Sequence, residues 1–152
     1  MSSNTFVTVT GNLTADPELR YTPSGKAVAK FTVVTNERRR NAAGEWEDGD
    51  PSFHRVTAWG QLAENVAESL GKGARAIVTG VLRQRSWEDK DSGQKRYDWE
   101  VTADAVGAEL SWATATVKKL TRHQGAPDDQ WDTASRRRPE PAGVGGGAEP
   151  PF

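Results

Sequence analysis

The sequence predicts a small all-β protein, a five-stranded barrel with one helix, followed by a disordered tail. Three observations lead to this fold class. Most apolar residues up to position 120 fall in short runs that alternate with polar residues, the period of two that is typical of strands with one buried side. One stretch instead spaces Leu62, Val66 and Leu70 four residues apart, as on one side of a helix. Residues 121–152 are rich in Gly and Pro and poor in large apolar groups, so burial could not offset the entropy lost on ordering them.

Five runs carry the strand pattern, and turn residues separate them. The runs are FVTVTGN (6–12), AVAKFTVVT (27–35), FHRVTAW (53–59), RAIVTGVLRQRSW (75–87) and KRYDWEVTADAVGAEL (95–110). Pro and Gly in DPELRYTPSGK predict a hairpin between the first two runs, and Ser-Gly in EDKDSGQ predicts a tight reversal between the last two. The segment RRRNAAGEWEDGDP predicts a long polar loop before the third strand.

The predicted helix lies between the third and fourth strands. QLAENVAESLGKG carries Ala63 and Ala67 beside the three larger apolar positions and ends at Gly71, a residue type that commonly follows a helix. Three strands, a helix and two strands form the element order of an OB-fold, a Greek-key barrel. The sequence therefore predicts an OB-fold domain over residues 1–120 and a disordered tail over residues 121–152.

Composition narrows the classes of function. The chain has 20 Lys and Arg against 21 Asp and Glu, so binding to a polyanion must come from local clusters of charge. There is no cysteine and there are only two histidines, His54 and His123, which excludes disulfides and makes a zinc site improbable. No arrangement of catalytic acids, bases or nucleophiles is visible, so we expect neither a cofactor nor an enzyme. The N-terminus lacks a signal-peptide pattern and no run reaches roughly 18 apolar residues, which predicts a cytoplasmic protein.

Two of the predicted strands set large aromatic rings beside arginines. In FHRVTAW, Val56 and Ala58 mark the inward side, and the other side carries Phe53, Arg55 and Trp59. The fourth strand likewise places a ring and two cations on one side: Trp87, Arg83 and Arg85. Unpaired nucleobases stack on exposed rings at about 1–3 kcal/mol each, and guanidinium groups meet the phosphates between them. The pattern therefore predicts a surface for single-stranded nucleic acid with little sequence preference.

Other notable residues have competing interpretations. Trp59 alone could equally pack under a loop or in a subunit contact. Trp99 lies at period two from Val101, which favours a place in the core or an interface. Trp46 lies among acidic residues, which argues against close approach of phosphate. His54 points inward and is expected to be a structural group. The run of Arg38, Arg39 and Arg40 is either a solvated charge cluster or, as we favour, a set of phosphate contacts.

Long motifs resemble those of a known family. GNLTADPELRYTPSGKAVAKFTV and FHRVTAWGQLAENVAESLGKGARAIVTGVLRQRSW, together with GEWEDG, are similar to bacterial single-stranded DNA-binding proteins, especially actinobacterial members, over about residues 4–120. The resemblance implies an OB-fold subunit of a homotetramer that needs no cofactor and that protects and organises single-stranded DNA in replication, recombination and repair. It also implies a cytoplasmic, nucleoid-associated location.

The resemblance assigns residues as well. The family's stacking positions fall on Phe53, Trp59 and Trp87, and a fourth position that is usually aromatic is Arg39 here, which predicts a steeper salt dependence. The family's basic contacts fall on Arg20, Lys72, Arg83, Arg85 and Arg96. His54 matches a position near the subunit interface.

The C-terminal tip is a separate candidate site. Composition alone favours a tail that only keeps the protein soluble, but a flexible tether that ends in an apolar side chain also suits capture by a pocket on another protein. The resemblance favours the second interpretation and implies that the tip recruits replication, recombination and repair enzymes through Glu149, Pro150, Pro151 and Phe152. Glu149 is the only acid in the last twelve residues, which predicts weak recruitment. The tail is short for the family, which leaves a paralogue or a phage-encoded member open.

Two other classes of function remain beside the binding of single-stranded nucleic acid. A carbohydrate-binding barrel would also expose aromatic rings, because sugars stack on them, but it would gain little from the arginines. A nucleic-acid enzyme would need a metal cluster or an activated nucleophile, and the sequence shows neither.

Overall fold

The computed structural model describes residues 2–121, and its compact part ends at Ala115. These residues form six strands and one helix. In chain order the elements are β1 Thr5–Leu13, β2 Glu18–Tyr21, β3 Ala27–Arg40, β4 Trp46–Trp59, α1 Gln61–Ser69, β5 Arg75–Glu88 and β6 Lys95–Ala108. Among the described residues, no helix is long and apolar enough to cross a membrane.

The six strands form one curved sheet in the order β1-β5-β6-β4-β3-β2. A second pairing joins β1 to β3 at Asn12 and Leu13, so the sheet closes on itself as a barrel. This closed sheet, with its helix between β4 and β5, confirms the predicted OB-fold. All strand pairs are antiparallel except β4 with β6.

Two glycines allow strands to approach closely. A Cβ atom at Gly11 would overlap the carbonyl oxygen of Val34, where β1 crosses to β3. One at Gly80 would overlap the carbonyl oxygen of Thr102, next to an irregularity in the β5–β6 pairing. Only glycine fits at these two positions, because any side chain would collide with the neighbouring backbone.

The core lies inside the barrel and is built from small and branched residues. Val33, Val56, Val78 and Val101 are almost fully buried, one on each of four strands. The apolar side of α1 joins this cluster through Ala63, Val66 and, just beyond the helix, Leu70. The i, i+4 spacing that predicts the helix is thus the spacing that brings its apolar side onto the core.

The connections differ from the predicted ones in two places. The short strand β2 was not expected, and the predicted hairpin between the first two runs is wrong: β3 forms its hairpin with β2, whereas β1 pairs mainly with β5. The predicted polar loop after the second run is also wrong, since β3 and β4 continue as a long hairpin whose turn is residues 41–45. In that turn, the Asn41 side chain accepts hydrogen bonds from the backbone N–H groups of Ala43 and Glu45.

Candidate nucleic-acid interface

One face of the sheet carries the predicted aromatic and basic side chains together. Strand register places residues of β3, β4, β6 and β5 side by side on the surface opposite the core. We call this surface the open face, and its members are Val28, Lys30, Phe53, Arg55, Thr57, Trp59, Asp98, Glu100, Thr102, Arg83, Arg85 and Trp87. The two strands on which the sequence sets tryptophan beside arginine therefore contribute to a single surface.

The three predicted stacking rings are accessible. Phe53 is 63% exposed, Trp59 41% and Trp87 46%. The ammonium group of Lys26 lies 5.1 Å from the centroid of the Trp59 ring, a cation–π contact that orients the indole and brings a cation beside it. A ring that is fixed by its own strand but partly open to solvent can take a flat ligand without rearrangement of the fold.

Carboxylates lie between the arginines of the open face. Nη1 of Arg55 is 2.7 Å from Oδ2 of Asp98, and Nη1 of Arg85 is 2.9 Å from Oε2 of Glu100. The hydroxyl of Thr57 also donates to Glu100. Arg83 makes no ion pair with any residue that the structure describes. The open face therefore has a net positive charge that is partly neutralised from within.

Two cavities indent this face. The first, of about 280 Å³, is lined by residues that include Arg55, Trp87 and Asp98. The second, of about 360 Å³, is lined by residues that include Lys30, Trp59 and Arg83. Arg85 and Glu100 line both cavities. Each cavity thus combines a tryptophan with cations, which is the combination that a base and its neighbouring phosphate require.

The remaining predicted basic contacts lie farther out. Arg20 faces the same side as Val28 at the β2 edge and pairs with Glu18. Arg96 lies near the start of β6, opposite Trp87 at the outer end of the open face, and its Nε lies 2.8 Å from Oδ2 of Asp89. The other predicted contact, Lys72, lies in the turn after α1, outside the strands of the open face. The structure does not bring that lysine together with the stacking rings.

The arginine run lies at the far end of the β3–β4 hairpin, where each member meets a partner on β4. Nε of Arg38 lies 3.6 Å from Oδ1 of Asp48, and Nε of Arg39 lies 3.2 Å from Oε1 of Glu47. The guanidinium of Arg40 lies 5.2 Å from the ring centroid of Trp46. The run continues β3 to its end, and acids across the hairpin match the charges of Arg38 and Arg39 but not that of Arg40.

Hydrogen bonds shift the acidity of one carboxyl in the β5–β6 turn. The backbone N–H of Asp91 and the guanidinium of Arg96 donate to Asp89, at 3.0 and 2.8 Å. These bonds favour the charged form and lower the pKa of Asp89.

Across residues 2–121, no group of His, Cys, Asp and Glu is arranged to hold a metal ion.

Comparison with known proteins identifies the family. The model of the Single-strand binding protein family matches residues 4–108. The chain belongs to this family. It is 47% identical to the single-stranded DNA-binding protein of Mycobacterium tuberculosis strain H37Rv over the full length of both chains. It is 52% identical to that of Corynebacterium glutamicum over 78% of this chain and 53% of the relative.

A solved structure supports the family assignment. The crystal structure of the small single-stranded DNA-binding protein from Streptomyces coelicolor has a TM-score of 0.61 and 29% sequence identity, and the match covers 72% of this chain and 97% of that one. The resemblance stated from the sequence motifs is therefore confirmed, as is the fold that it implied.

The structure also shows where Trp99 and His54 lie. Trp99 is 55% exposed, so of the two places predicted for it the core is wrong for the single chain, and the interface stays a prediction. Trp99 lies on the same side of β6 as the buried Val101. At Trp99, however, the β5–β6 hairpin has passed the end of the barrel, and no part of the described core lies beneath that side. His54 is half-buried and its Nε2 forms a hydrogen bond with Thr35 Oγ1 at 3.1 Å, so the imidazole has a partner within the fold, as expected of a structural group.

Three residues of the open face were not singled out from the sequence. Lys30 lies at period two from Val28, and Asp98 and Glu100 lie at period two from Arg96. The same alternation that identifies the arginines could have found all three. The predicted tip residues Glu149, Pro150, Pro151 and Phe152 lie outside the described residues.

Proposed function

We propose that this chain binds single-stranded DNA without sequence preference and acts by binding alone, not by catalysis. The observation that carries the proposal is that Trp59 and Trp87 are open to solvent on the same face as Arg83. Bases would stack on the two indoles and on Phe53, while phosphates would meet the cations around them. Because every base has a flat face, this mode of binding gives affinity without reading sequence.

The same geometry predicts discrimination against duplex DNA. In a duplex the faces of the bases are covered by their neighbours, so the rings of the open face could not reach them. A fluorescence titration with oligo-dT, with a duplex of the same length as control, tests this directly. We expect strong quenching of tryptophan fluorescence by the single strand and little by the duplex. Equal affinity for both would refute stacking as the mechanism.

A carbohydrate-binding module is the alternative that the exposed rings alone would allow. The open face argues against it, because Arg55, Arg83 and Arg85 would contribute little to a neutral sugar, whereas they complement a phosphate backbone. A neutral oligosaccharide in the same titration separates the two functions. Quenching by the sugar, with none by oligo-dT, would favour the alternative.

We further propose that the chain assembles as a homotetramer. In support, β1 pairs with β5 along residues 5–12 but with β3 only at residues 12 and 13. Its other edge is therefore unpaired over most of its length within the described chain, and such an edge is a template for a strand from another copy. Phe6 and Ile77 are exposed on this part of the sheet. Light scattering across a range of concentrations should give four times the mass of one chain; a stable monomer would contradict the proposal.

The broader role follows from the family. We propose that the chain protects single strands in the cytoplasm, at the nucleoid, during replication, recombination and repair, and that the tip at residues 149–152 recruits the enzymes of those processes. The test compares the full chain with a variant that lacks residues 149–152, each immobilised and exposed to a bacterial lysate. We expect loss of enzyme capture with unchanged DNA binding. Equal capture by both forms would remove the tip from the proposal.

A further inference from the structure

Strand β6 brings two acids into the middle of the open face. In the sheet, β6 lies between β4 and β5. In the strand register, Asp98 lies opposite Arg85 of β5. Glu100 lies opposite Arg83 of β5 on one side and Arg55 of β4 on the other. A surface that binds a polyanion therefore carries two negative charges at its centre.

These acids are engaged with the cations that the DNA needs. Asp98 holds Arg55 at 2.7 Å, and Glu100 holds Arg85 at 2.9 Å. The Glu100 side chain is only 14% exposed and also accepts the hydroxyl of Thr57, so it is fixed in place. A phosphate that approaches either guanidinium meets a carboxylate of the same sign beside it.

We propose that Asp98 and Glu100 compete with DNA phosphates for Arg55 and Arg85, and that this competition sets how tightly the open face holds a strand and how readily it releases it. This inference rests on the proposed single-stranded DNA binding. The Arg55–Asp98 pair is largely open to solvent, with side chains 65% and 37% exposed. Exposed ion pairs add little to fold stability, so this pair has no large structural role that would explain it. Asp98 and Glu100 lie on β6, between the strands that carry Trp59 and Trp87. Their charges therefore act mainly on a DNA strand bound to these rings.

The proposal explains the contrast between Arg83 and its neighbours. Arg83 has no carboxylate partner among the described residues, so it is available to phosphate at once. Arg55 and Arg85 must first give up an ion pair or share it. The open face thus has one arginine without an ion pair, Arg83. In the other two, Arg55 and Arg85, the ion pair weakens the attraction for a DNA phosphate.

The test is the substitution Asp98→Asn in the full chain, with Asp104→Asn as the matched control. Asp98→Asn keeps the size of the side chain and an oxygen that can accept the hydrogen bond from the backbone N–H of Trp99. It removes the negative charge that holds Arg55. Asp104 is an exposed acid on the same strand without an ion pair in the described region, so its substitution removes the same charge elsewhere. Affinity for oligo-dT and the dissociation rate are measured for both by fluorescence anisotropy and stopped flow.

We expect Asp98→Asn to bind oligo-dT about two- to fivefold more tightly than wild type, which is the range for release of one surface ion pair, and to release it more slowly. Asp104→Asn should change little. Equal effects of the two substitutions, or weaker binding by Asp98→Asn, would overturn the inference. If wild type itself fails to bind oligo-dT, the proposed function fails instead, so the two failures are distinguishable.

A double-mutant cycle with Arg55→Gln separates competition from a structural effect. If Asp98 acts by holding Arg55, the gain from Asp98→Asn should disappear when Arg55 is already replaced. A gain that persists in the Arg55→Gln background would refute the competition mechanism. Glu100→Gln, which keeps an oxygen for Thr57, extends the same test to Arg85, with thermal unfolding measured to confirm that the variant is folded.

Discussion

Replacement of both stacking tryptophans is the most direct test of the open face. In the double variant Trp59→Ala, Trp87→Ala, both indole surfaces are lost while Arg55, Arg83 and Arg85 remain. If bases stack on the rings, affinity for single strands should fall steeply even though the charge of the face is unchanged. If phosphate contacts dominate, the loss should be slight.

The size of the effect follows from the exposure of the two rings. Each accessible ring contributes about 1–3 kcal/mol of stacking by alanine substitution, so the pair should cost about 2–6 kcal/mol of binding free energy. At about 1.4 kcal/mol for each tenfold change, this is a loss of about 30-fold or more. Trp59 and Trp87 are 41% and 46% exposed, so more than half of each side chain contacts protein. Truncation therefore also lowers fold stability, by up to about 2–3 kcal/mol for each ring, and stability must be measured separately.

The assay needs a probe other than intrinsic fluorescence, because the substitutions remove tryptophan. Anisotropy of a labelled oligo-dT serves, with thermal unfolding and mass measured on the same samples. Tyr97→Ala is the matched control, since Tyr97 is 58% exposed on the same hairpin, alternates to the side opposite Trp87 and lines neither cavity of the open face. Unchanged affinity in the double variant, or an equal loss in the control, would refute the assignment of Trp59 and Trp87 as the stacking groups.

Three further predictions follow from individual contacts. Arg83→Gln should reduce the slope of log K against log salt by about 0.7, the value for one phosphate contact on a single strand, while Arg39→Gln, which removes an arginine already paired across its hairpin, should change it less; titrations at several salt concentrations compare them. Gly80→Ala should destabilise the fold by about 1–3 kcal/mol or more, because its Cβ would overlap a backbone carbonyl on β6, whereas Gly107→Ala, with open space around it, should be tolerated in thermal unfolding. The pKa of Asp89 is lowered in the fold, so its contribution to stability is present above its ordinary pKa of about 4 and is lost as pH falls through the folded value; Asp89→Asn should flatten the pH dependence of unfolding in that acidic range.

The parts of the fold that the sequence predicts are those governed by local periodicity. Alternation over seven or more residues identified the five longer strands, and the spacing of Leu62, Val66 and Leu70 identified the helix. The strand β2 was missed because ELRY is only four residues long, between Pro17 and Pro23, too short for a periodic pattern to develop. The outer arms of β3 and β4 were missed because they carry almost no apolar residues and are held by pairs such as Arg38 with Asp48 across the hairpin.

The composition of the open face, the candidate site, was predictable from the same local alternation of residues. The side of a strand on which Trp59 or Trp87 lies depends only on its neighbours, so the composition of the open face could be read from two segments. The partners of the arginines could not, because they depend on which strands become adjacent. Asp98 reaches Arg55 only because β6 lies beside β4 in the sheet, a pairing between segments far apart in the chain that no local pattern encodes.

The distribution of partners on the open face has a consequence for how the protein holds DNA. The three proposed stacking rings remain partly exposed. By contrast, six of the nine predicted phosphate contacts already form ion pairs: Arg20, Arg38, Arg39, Arg55, Arg85 and Arg96. Stacking should therefore supply a larger share of the affinity than the number of arginines suggests, because each paired cation must exchange one anion for another. It follows that the salt dependence of binding should be shallower than nine phosphate contacts would give. This also moderates the steeper dependence expected from Arg39, since that arginine is held by Glu47.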